Sequence, residues 1–387
     1  MKTELLERVS ACALNRIFGY EPLIARKLVD SLGSAGAVFT ASREDLRTLL
    51  GPYSKYNERI RGSILDECAD ELERLAGKGC RFIPYDDPDY PALLKECPDA
   101  PAGLYFKSES SPAEVFGSKK TISVVGTRNQ SLYGKESCET TVLGMSRNPE
   151  VCIVSGLAIG VDITAHMAAL AAGLSTIAVL PTGITEIYPQ RHSVAADKIA
   201  RSPGSALVTD FPPGTGPQAC TFLRRNRIIA ALGSATILIE SGIKGGGMLT
   251  ARLASGYGRD VFCLPGRIDD EFSRGCNLLI RENVAQTISD LDVLALDLGL
   301  RGAVSGKRNE REALLEAYSP DCSEEKVADI LKIYEIIRRN RGASIEELAG
   351  ITGMPYSRAA GLTGLLESDG FICTDLLQRC TINVKKL

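Results

Sequence analysis

Apolar side chains in the first eighty or so residues recur at helical spacing. LLERVSACAL, LIARKLVDSL and SILDECADELERLA each carry one apolar stripe, and Gly-containing breaks separate them. Residues 84–101, PYDDPDYPALLKECPDAP, are too dense in Pro and Asp for a continuous helix and mark a boundary. The pattern then changes to short, unbroken apolar runs, most ending at a Gly-containing turn: TISVVG (121–126), VCIVSG (151–156), TIAVLPTG (176–183), ALVTD (206–210), ATILIES (235–241) and DVFCLPG (260–266). Between them lie helical patterns such as VDITAHMAALAAG and FLRRNRIIAALG. Strands that are apolar on both faces and alternate with helices predict an α/β fold, a doubly wound and mostly parallel Rossmann-like sheet. Residues 301–325 are polar and mixed in charge, with one short helical stretch, and read as a linker. The remainder runs helix, helix, helix, two-stranded ribbon, the order of a winged helix, and Ser344 ahead of Glu347 forms a capping box for its second helix. The predicted units are therefore a helical module at 1–83, the sheet domain at 84–300, a linker at 301–325 and a winged helix at 326–387.

Composition narrows the function. Hydrophobic residues make up 44% and charged residues 24% of the 387 positions, as in a soluble, well-packed protein. No run of roughly 18 uncharged apolar residues offers a membrane span. MKTELLERVSACAL sets Glu4, Glu7 and Arg8 where a signal peptide needs an apolar core, so a cytoplasmic protein with no membrane partner is expected. The 12 cysteines include no C-x-x-C pair, and there are only 2 histidines, so buried free thiols are expected and neither a metal site nor a cofactor is called for.

The net charge of −3 does not advertise a nucleic-acid ligand, but local patches decide that. Residues 119–135 hold Lys119, Lys120, Arg128 and Lys135 with no acid, and 219–234 hold Arg224, Arg225 and Arg227 with none. By contrast, basic and acidic residues nearly balance through the helical module. Its stretch FGYEPLIARKLVDSLGSAGAVF resembles a helix-hairpin-helix or SAM-like element lacking the G-x-G that brings backbone close to phosphates. Packing or partner docking is the expected role there.

In an open parallel sheet, ligands bind beyond the carboxyl ends of the strands. The first such end offers Gly126-Thr127-Arg128: a tight turn, a hydroxyl and a guanidinium fork for an anion. The second, Ser155-Gly156-Leu157-Ala158-Ile159-Gly160, leads into a helix and presents free amides beside its dipole, although it is not a G-x-G-x-x-G fingerprint. Asp162 and His166 follow on that helix and are expected to brace the loop, as are Gly183 and Tyr188 after the third strand. Phe222 precedes Arg224, Arg225, Asn226 and Arg227 at a helix start, a combination that suits a single strand, with bases on the ring and guanidiniums on the backbone. Lys244-Gly245-Gly246 adds another amide-rich turn beside a charge.

Taken in order, VVGTR, VSGLAIGVDITAH, TIAVLPTGITEIYP, FPPGTGP, FLRRNRIIAAL, GGGMLTARLA and VFCLPG resemble the DprA/Smf family of DNA-processing proteins from about residue 84 to 282. The family's usual G-S-R reads Gly126-Thr127-Arg128 here, and its S-G-S is replaced by Gly245-Gly246-Gly247. The resemblance implies a non-enzymatic homodimer that binds single-stranded DNA without sequence preference, protects incoming strands and loads RecA recombinase during natural transformation. It implicates Arg128, the Gly156/Gly160 turn, Phe222 and Arg225-Asn226-Arg227 in strand binding. The alternative is a nucleotide-processing enzyme on a related scaffold, such as the cytokinin-activating phosphoribohydrolases. Those carry P-G-G-x-G-T-x-x-E, but GGGMLTARLA has Leu253 three residues after its Thr and no acid. The third helix of the winged unit carries only Arg358 as a base. A docking or weak DNA role is therefore expected of it, with Arg379, Lys385 and Lys386 as a modest anchor.

Overall fold

The computed structural model describes residues 2–117, 119–300, 310–320 and 322–383. Five helices open the chain: α1 (Lys2–Phe18), α2 (Pro22–Leu32), α3 (Ala35–Thr40), α4 (Arg43–Leu50) and α5 (Ser63–Ala76). The strands of the main sheet are β1 (Cys80–Pro84), β2 (Gly103–Lys107), β3 (Lys120–Val125), β4 (Val151–Ser155), β5 (Ser175–Val179), β6 (Ala206–Thr209), β7 (Ala235–Leu238), β8 (Asp260–Cys263) and β9 (Gln286–Thr287). Helices α6 (Ala92–Lys95), α7 (Pro112–Phe116), α8 (Leu132–Gly144), α9 (Val161–Ala171), α10 (Ser193–Arg201), α11 (Ala219–Leu232), α12 (Gly246–Gly256), α13 (Arg274–Arg281) and α14 (Leu291–Asp297) connect or flank them.

The nine strands lie in the order β1-β2-β6-β5-β4-β3-β7-β8-β9. From β6 to β9 every neighbouring pair is parallel, whereas β1 and β2 form an antiparallel edge on β6. All six apolar runs read from the sequence fall on β3 to β8. Every residue of β4 and β5 is buried, which is why those runs show no polar alternation.

Two cores cover the faces of β3, β4 and β7. On one, Ile122, Val124, Ile153 and Ile237 pack on Cys138 and Val142 of α8, Ala165 and Ala168 of α9 and Leu294 of α14. On the other, Val125, Cys152, Val154, Val179 and Val208 pack on Ile228 and Ile229 of α11, Ala251 of α12 and Leu279 of α13. The opening helices do not stand apart. Leu14 and Phe18 of α1 share a core with Phe82 of β1, Tyr105 of β2, Leu207 of β6 and Ile199 of α10. The expected boundary at 83–84 thus falls inside β1, which begins at Cys80 and pairs its whole length with β2. Polar bonds reinforce the joint: the Tyr105 hydroxyl donates to Glu71 Oε1 of α5 at 2.8 Å, and Asn15 Nδ2 of α1 donates to the Asp210 carbonyl at 2.8 Å.

The C-terminal unit comprises α15 (Glu310–Tyr318), α16 (Glu324–Arg339), β10 (Ala343–Ser344), α17 (Ile345–Thr352), α18 (Tyr356–Ser368), β11 (Ile372–Thr374) and β12 (Arg379–Ile382), with the small sheet ordered β10-β12-β11. This is a winged helix. The Ser344–Glu347 capping box is present at the start of α17. Part of the expected linker is helix: α15 buries Leu314 and Tyr318 in the same core as Ile330, Ile337 and Leu366. Every cysteine is free; Cys220 and Cys373 are exposed, Cys322 is half-buried, and the others are buried.

Candidate nucleic-acid interface

The chain winds outward from β3 in one direction through β4, β5 and β6, then returns to the other side of β3 as β7. The crevice of this sheet therefore opens between the loops after β3 and β7, where strand order reverses. Gly126 sits at its floor. A Cβ there would lie 2.5 Å from Val161 Cγ2 and 3.0 Å from the Glu240 carbonyl, so glycine is required by packing. The Thr127 amide donates to that carbonyl at 2.7 Å, and the Thr127 hydroxyl accepts from the Asn129 amide at 3.2 Å. Gly160, at φ +86°, places its Cα hydrogens against the Thr127 and Arg128 carbonyls, and the Val161 amide donates to Thr127 at 3.2 Å. The two glycine turns are thus one locked unit, and Arg128 projects from it into solvent.

Arg128 meets an aromatic pair. Its guanidinium lies over Phe222, 4.8 Å from the ring centroid, and Tyr188 packs edge-on against the same ring at 5.6 Å. Tyr188 is therefore part of this cluster rather than only a loop brace. At Gly183 a Cβ would lie 2.8 Å from the Pro212 carbonyl, and the amide donates to the Thr215 carbonyl at 3.0 Å. Lys244 is exposed across the crevice, beside Gly245 and Gly246 at the start of α12. Gly247 lets that helix end approach Gly126; a Cβ would lie 2.6 Å from Leu238 Cδ1.

The arginines of α11 separate by direction. Arg225 is 3% exposed, lies beneath Gly156, and donates from Nη1 to the carbonyls of Gly156 and Val179. Burial lowers its pKa to about 10, partly opposed by Asp162, so it remains charged at neutral pH. Arg227 is also buried; it donates to the Asp99 carbonyl and, through Nη2, to Asp210 Oδ2 at 2.5 Å. Arg224 reaches the same oxygen through Nε at 3.1 Å and Nη2 at 2.6 Å. Asn226 donates to the Gly246 carbonyl at 3.4 Å. Contrary to expectation, Arg225, Asn226 and Arg227 do not present a cationic row to solvent. They tie α11 to its neighbours, and Asp210, to which sequence reasoning gave no role, anchors Arg227 together with Arg224.

The 119–135 patch divides as well. Lys119 precedes β3 and Lys120 opens it, so both lie at the amino edge of the sheet, where Lys119 Nζ donates to the Gly204 carbonyl at 3.0 Å, a strand's length from Arg128.

The acids and histidines near the crevice are engaged. Glu240 accepts from the Ser131 amide at 2.9 Å and the Ser131 hydroxyl at 2.5 Å, capping α8 beneath Gly134. Burial raises the Asp162 carboxyl, while Arg225 and the amides of Ala158 and Gly156 hold it back down. Ser155 donates to the Val124 carbonyl at 2.6 Å, inside the turn rather than toward a ligand. His166 Nδ1 lies 2.7 Å from the Thr176 hydroxyl, which donates to the Ile153 carbonyl at 2.7 Å, so Nδ1 carries the proton. Burial lowers the His166 pKa to about 3, helped by the charges of Arg225 and His192. Asp162 thus accepts from amides of the turn after β4, and His166 links α9 to β5 through Thr176.

In the winged unit, Arg358 pairs with Glu325 at 2.8 Å and Asp329 at 2.5 Å, and Arg379 pairs with Asp375 at 2.6 Å. Both arginines are thus paired within the unit. Lys385 and Lys386 lie outside the described residues.

A doubly wound sheet with a glycine-lined, cationic crevice at its switch point defines the Rossmann-like class. Residues 81–299 match the family described as DNA recombination-mediator protein A, and the chain belongs to that family. It is 32% identical over 323 residues to a DNA processing protein DprA of Mycobacterium tuberculosis (strain ATCC 25618 / H37Rv), spanning 80% of this chain and 79% of that one. With the DNA processing protein DprA of Streptococcus pneumoniae (strain ATCC BAA-255 / R6) it shares 39% identity over 209 residues, 54% of this chain and 71% of the relative. The X-ray structure of DNA processing protein A from Streptococcus pneumoniae is similar with a TM-score of 0.63 and 30% identity, over 73% of this chain and 95% of that one. Among the described residues no helix is long and apolar enough to cross a membrane.

Proposed function

We propose that this chain binds single-stranded DNA without sequence preference, as a non-catalytic homodimer in the cytoplasm, and passes the strand to RecA recombinase during recombination. The observation that carries strand binding is the cluster of Arg128, Phe222 and Tyr188, a cation and two rings gathered at the rim of the switch-point crevice. A ring offers every base the same π-face, and a guanidinium serves any phosphate, so the pair suits a strand of any sequence. Lys244, at the start of α12, extends the cationic rim, and the buried Arg225 and Arg227 act behind it by fixing Gly156 and α11. Family membership supports the role in recombination; the hand-over to RecA and the dimer follow from the resemblance to DprA/Smf proteins.

Fluorescence anisotropy with an oligo-dT strand and the matching duplex, titrated across salt, tests this. Salt-sensitive preference for the single strand is expected. Equal affinity for the duplex, or none for either, would overturn it. The nucleotide-processing alternative needs an acid free for chemistry. Position 253 is Leu, and the nearby Asp162 and Glu240 hold backbone amides.

A further inference from the structure

We propose that Tyr20, in the turn between α1 and α2, is a second base-stacking platform, so that the helical module forms part of the strand-binding surface. The inference rests on the single-strand reading above. Tyr20 is 66% exposed, and exposure alone decides nothing, because isolated surface aromatics are common. What distinguishes it is how its ring is held. The Arg224 guanidinium lies over one face, 4.6 Å from the centroid, and Phe211 flanks the same guanidinium at 4.6 Å. Asp210 fixes that guanidinium through two nitrogens. Gly19 makes the approach possible, since a Cβ there would lie 2.8 Å from Arg224 Nη2. Asn15 of α1 is bonded to the Asp210 carbonyl, so the module has a fixed position against the end of β6. The Tyr20 ring is therefore backed on one side by an anchored cation, with most of its surface left open.

Its location links it to the first cluster. Phe222 and Arg224 are two residues apart on α11, about 200° around the helix axis, and so leave it on opposite sides. Leu223 stands between them, 55% exposed. One side of this crest carries Phe222 with Arg128 and Tyr188; the other carries Arg224 with Tyr20. A single strand crossing the crest meets an aromatic ring on each side. Beneath it, the carboxylate of Asp210 holds the guanidiniums of Arg224 and Arg227 together and so fixes the crest. Rings spaced along a cationic surface are what sequence-independent binding of a single strand requires.

The test uses the full chain with a short and a long oligo-dT, about 6 and about 20 nucleotides. Tyr20→Ala is expected to weaken the long oligomer by about fivefold or more, the consequence of losing one stacked base, and to leave the short one unchanged. Tyr20→Phe should bind like wild type, and thermal stability should not move in either variant. A long strand carrying 5-iodouridine should photo-crosslink to Tyr20 in the wild type. If Phe222→Ala weakens binding while Tyr20→Ala matches wild type at both lengths, the second platform is overturned and the single-strand reading stands. If Tyr20→Ala weakens both lengths equally, the two-platform arrangement is overturned. If the wild-type chain binds neither oligomer, the single-strand reading fails first.

Discussion

Arg128 lays its guanidinium over the ring of Phe222, 4.8 Å from the centroid, joining the loop after β3 to the first turn of α11. The contact orients both groups at the rim of the crevice, and Arg128 has no ion pair among the described residues. Removing either partner should therefore reduce strand affinity by different routes. Phe222→Ala should cost about 1–3 kcal/mol of single-strand binding, the range for one base–aromatic stack. Arg128→Ala should reduce the salt slope by about one unit, because one phosphate contact is lost. Anisotropy titrations across salt separate the two. An unchanged slope in Arg128→Ala together with wild-type affinity in Phe222→Ala would remove the proposed surface.

Arg225 should behave differently from Arg128 although both are arginines near the crevice. Its guanidinium is buried and holds the carbonyls of Gly156 and Val179. Arg225→Ala leaves those carbonyls and the nearby Asp162 without their cation, a loss of about 3–5 kcal/mol when a buried charge partner is removed. Chemical denaturation should register that loss, while Arg128→Ala should unfold like wild type. Equal stability of the two variants would contradict the assignment of Arg225 to the scaffold.

The direction of Arg225 was written in the helical period. Ile228, Ile229 and Leu232 follow it at three, four and seven residues, so Arg225 lies on the stripe of α11 that faces the sheet. Local composition pointed the other way, since four polar residues at a helix start suggest a solvated face. Asp210 had no local signal at all: an acid at a strand end and arginines 14 and 17 residues later meet only once the fold is made. Strands β3 to β8 were plain because burial on both faces gives unbroken apolar runs. β1 and β2 were not, because CRFIP carries an outward Arg81 and stops at Pro84, and GLYFK lies in a Pro-rich lead-in. Tyr188 meets Phe222 only in the fold, a contact between distant segments that no local pattern signals.

The winged helix touches the sheet domain at α8. Arg341 pairs with Glu136 and lies over the Tyr133 ring at 4.7 Å, and Gly342 sits against Leu132. Arg341 is 39% exposed, so its ion pair should contribute no more than about 1 kcal/mol to global stability. Arg341→Glu places two carboxylates together and should open the contact without unfolding either unit. Hydrogen exchange would then rise over the first turn of α8, residues 132–136, with the melting temperature nearly constant. Exchange at wild-type rates there would show that the contact does not hold the two units together.

His166 gives a pH dependence whose sign is fixed by burial. Its pKa falls from 6.5 to about 3 in the folded chain, so below pH 6.5 the unfolded chain binds a proton that the folded chain refuses. Stability must therefore decline as pH drops from 6.5 toward 3, by up to about 1.4 kcal/mol per pH unit from this group. Above 6.5 both states are neutral and the term vanishes. His166→Gln removes the titration, and the variant should lose less stability than wild type between about pH 7 and pH 4.5, even if it starts lower. Urea denaturation at those two pH values reads the difference between the two slopes, which cancels the carboxylates common to both proteins. Parallel slopes would mean that the imidazole can be protonated in place, and that it is not sealed between Thr176 and the turn after β4.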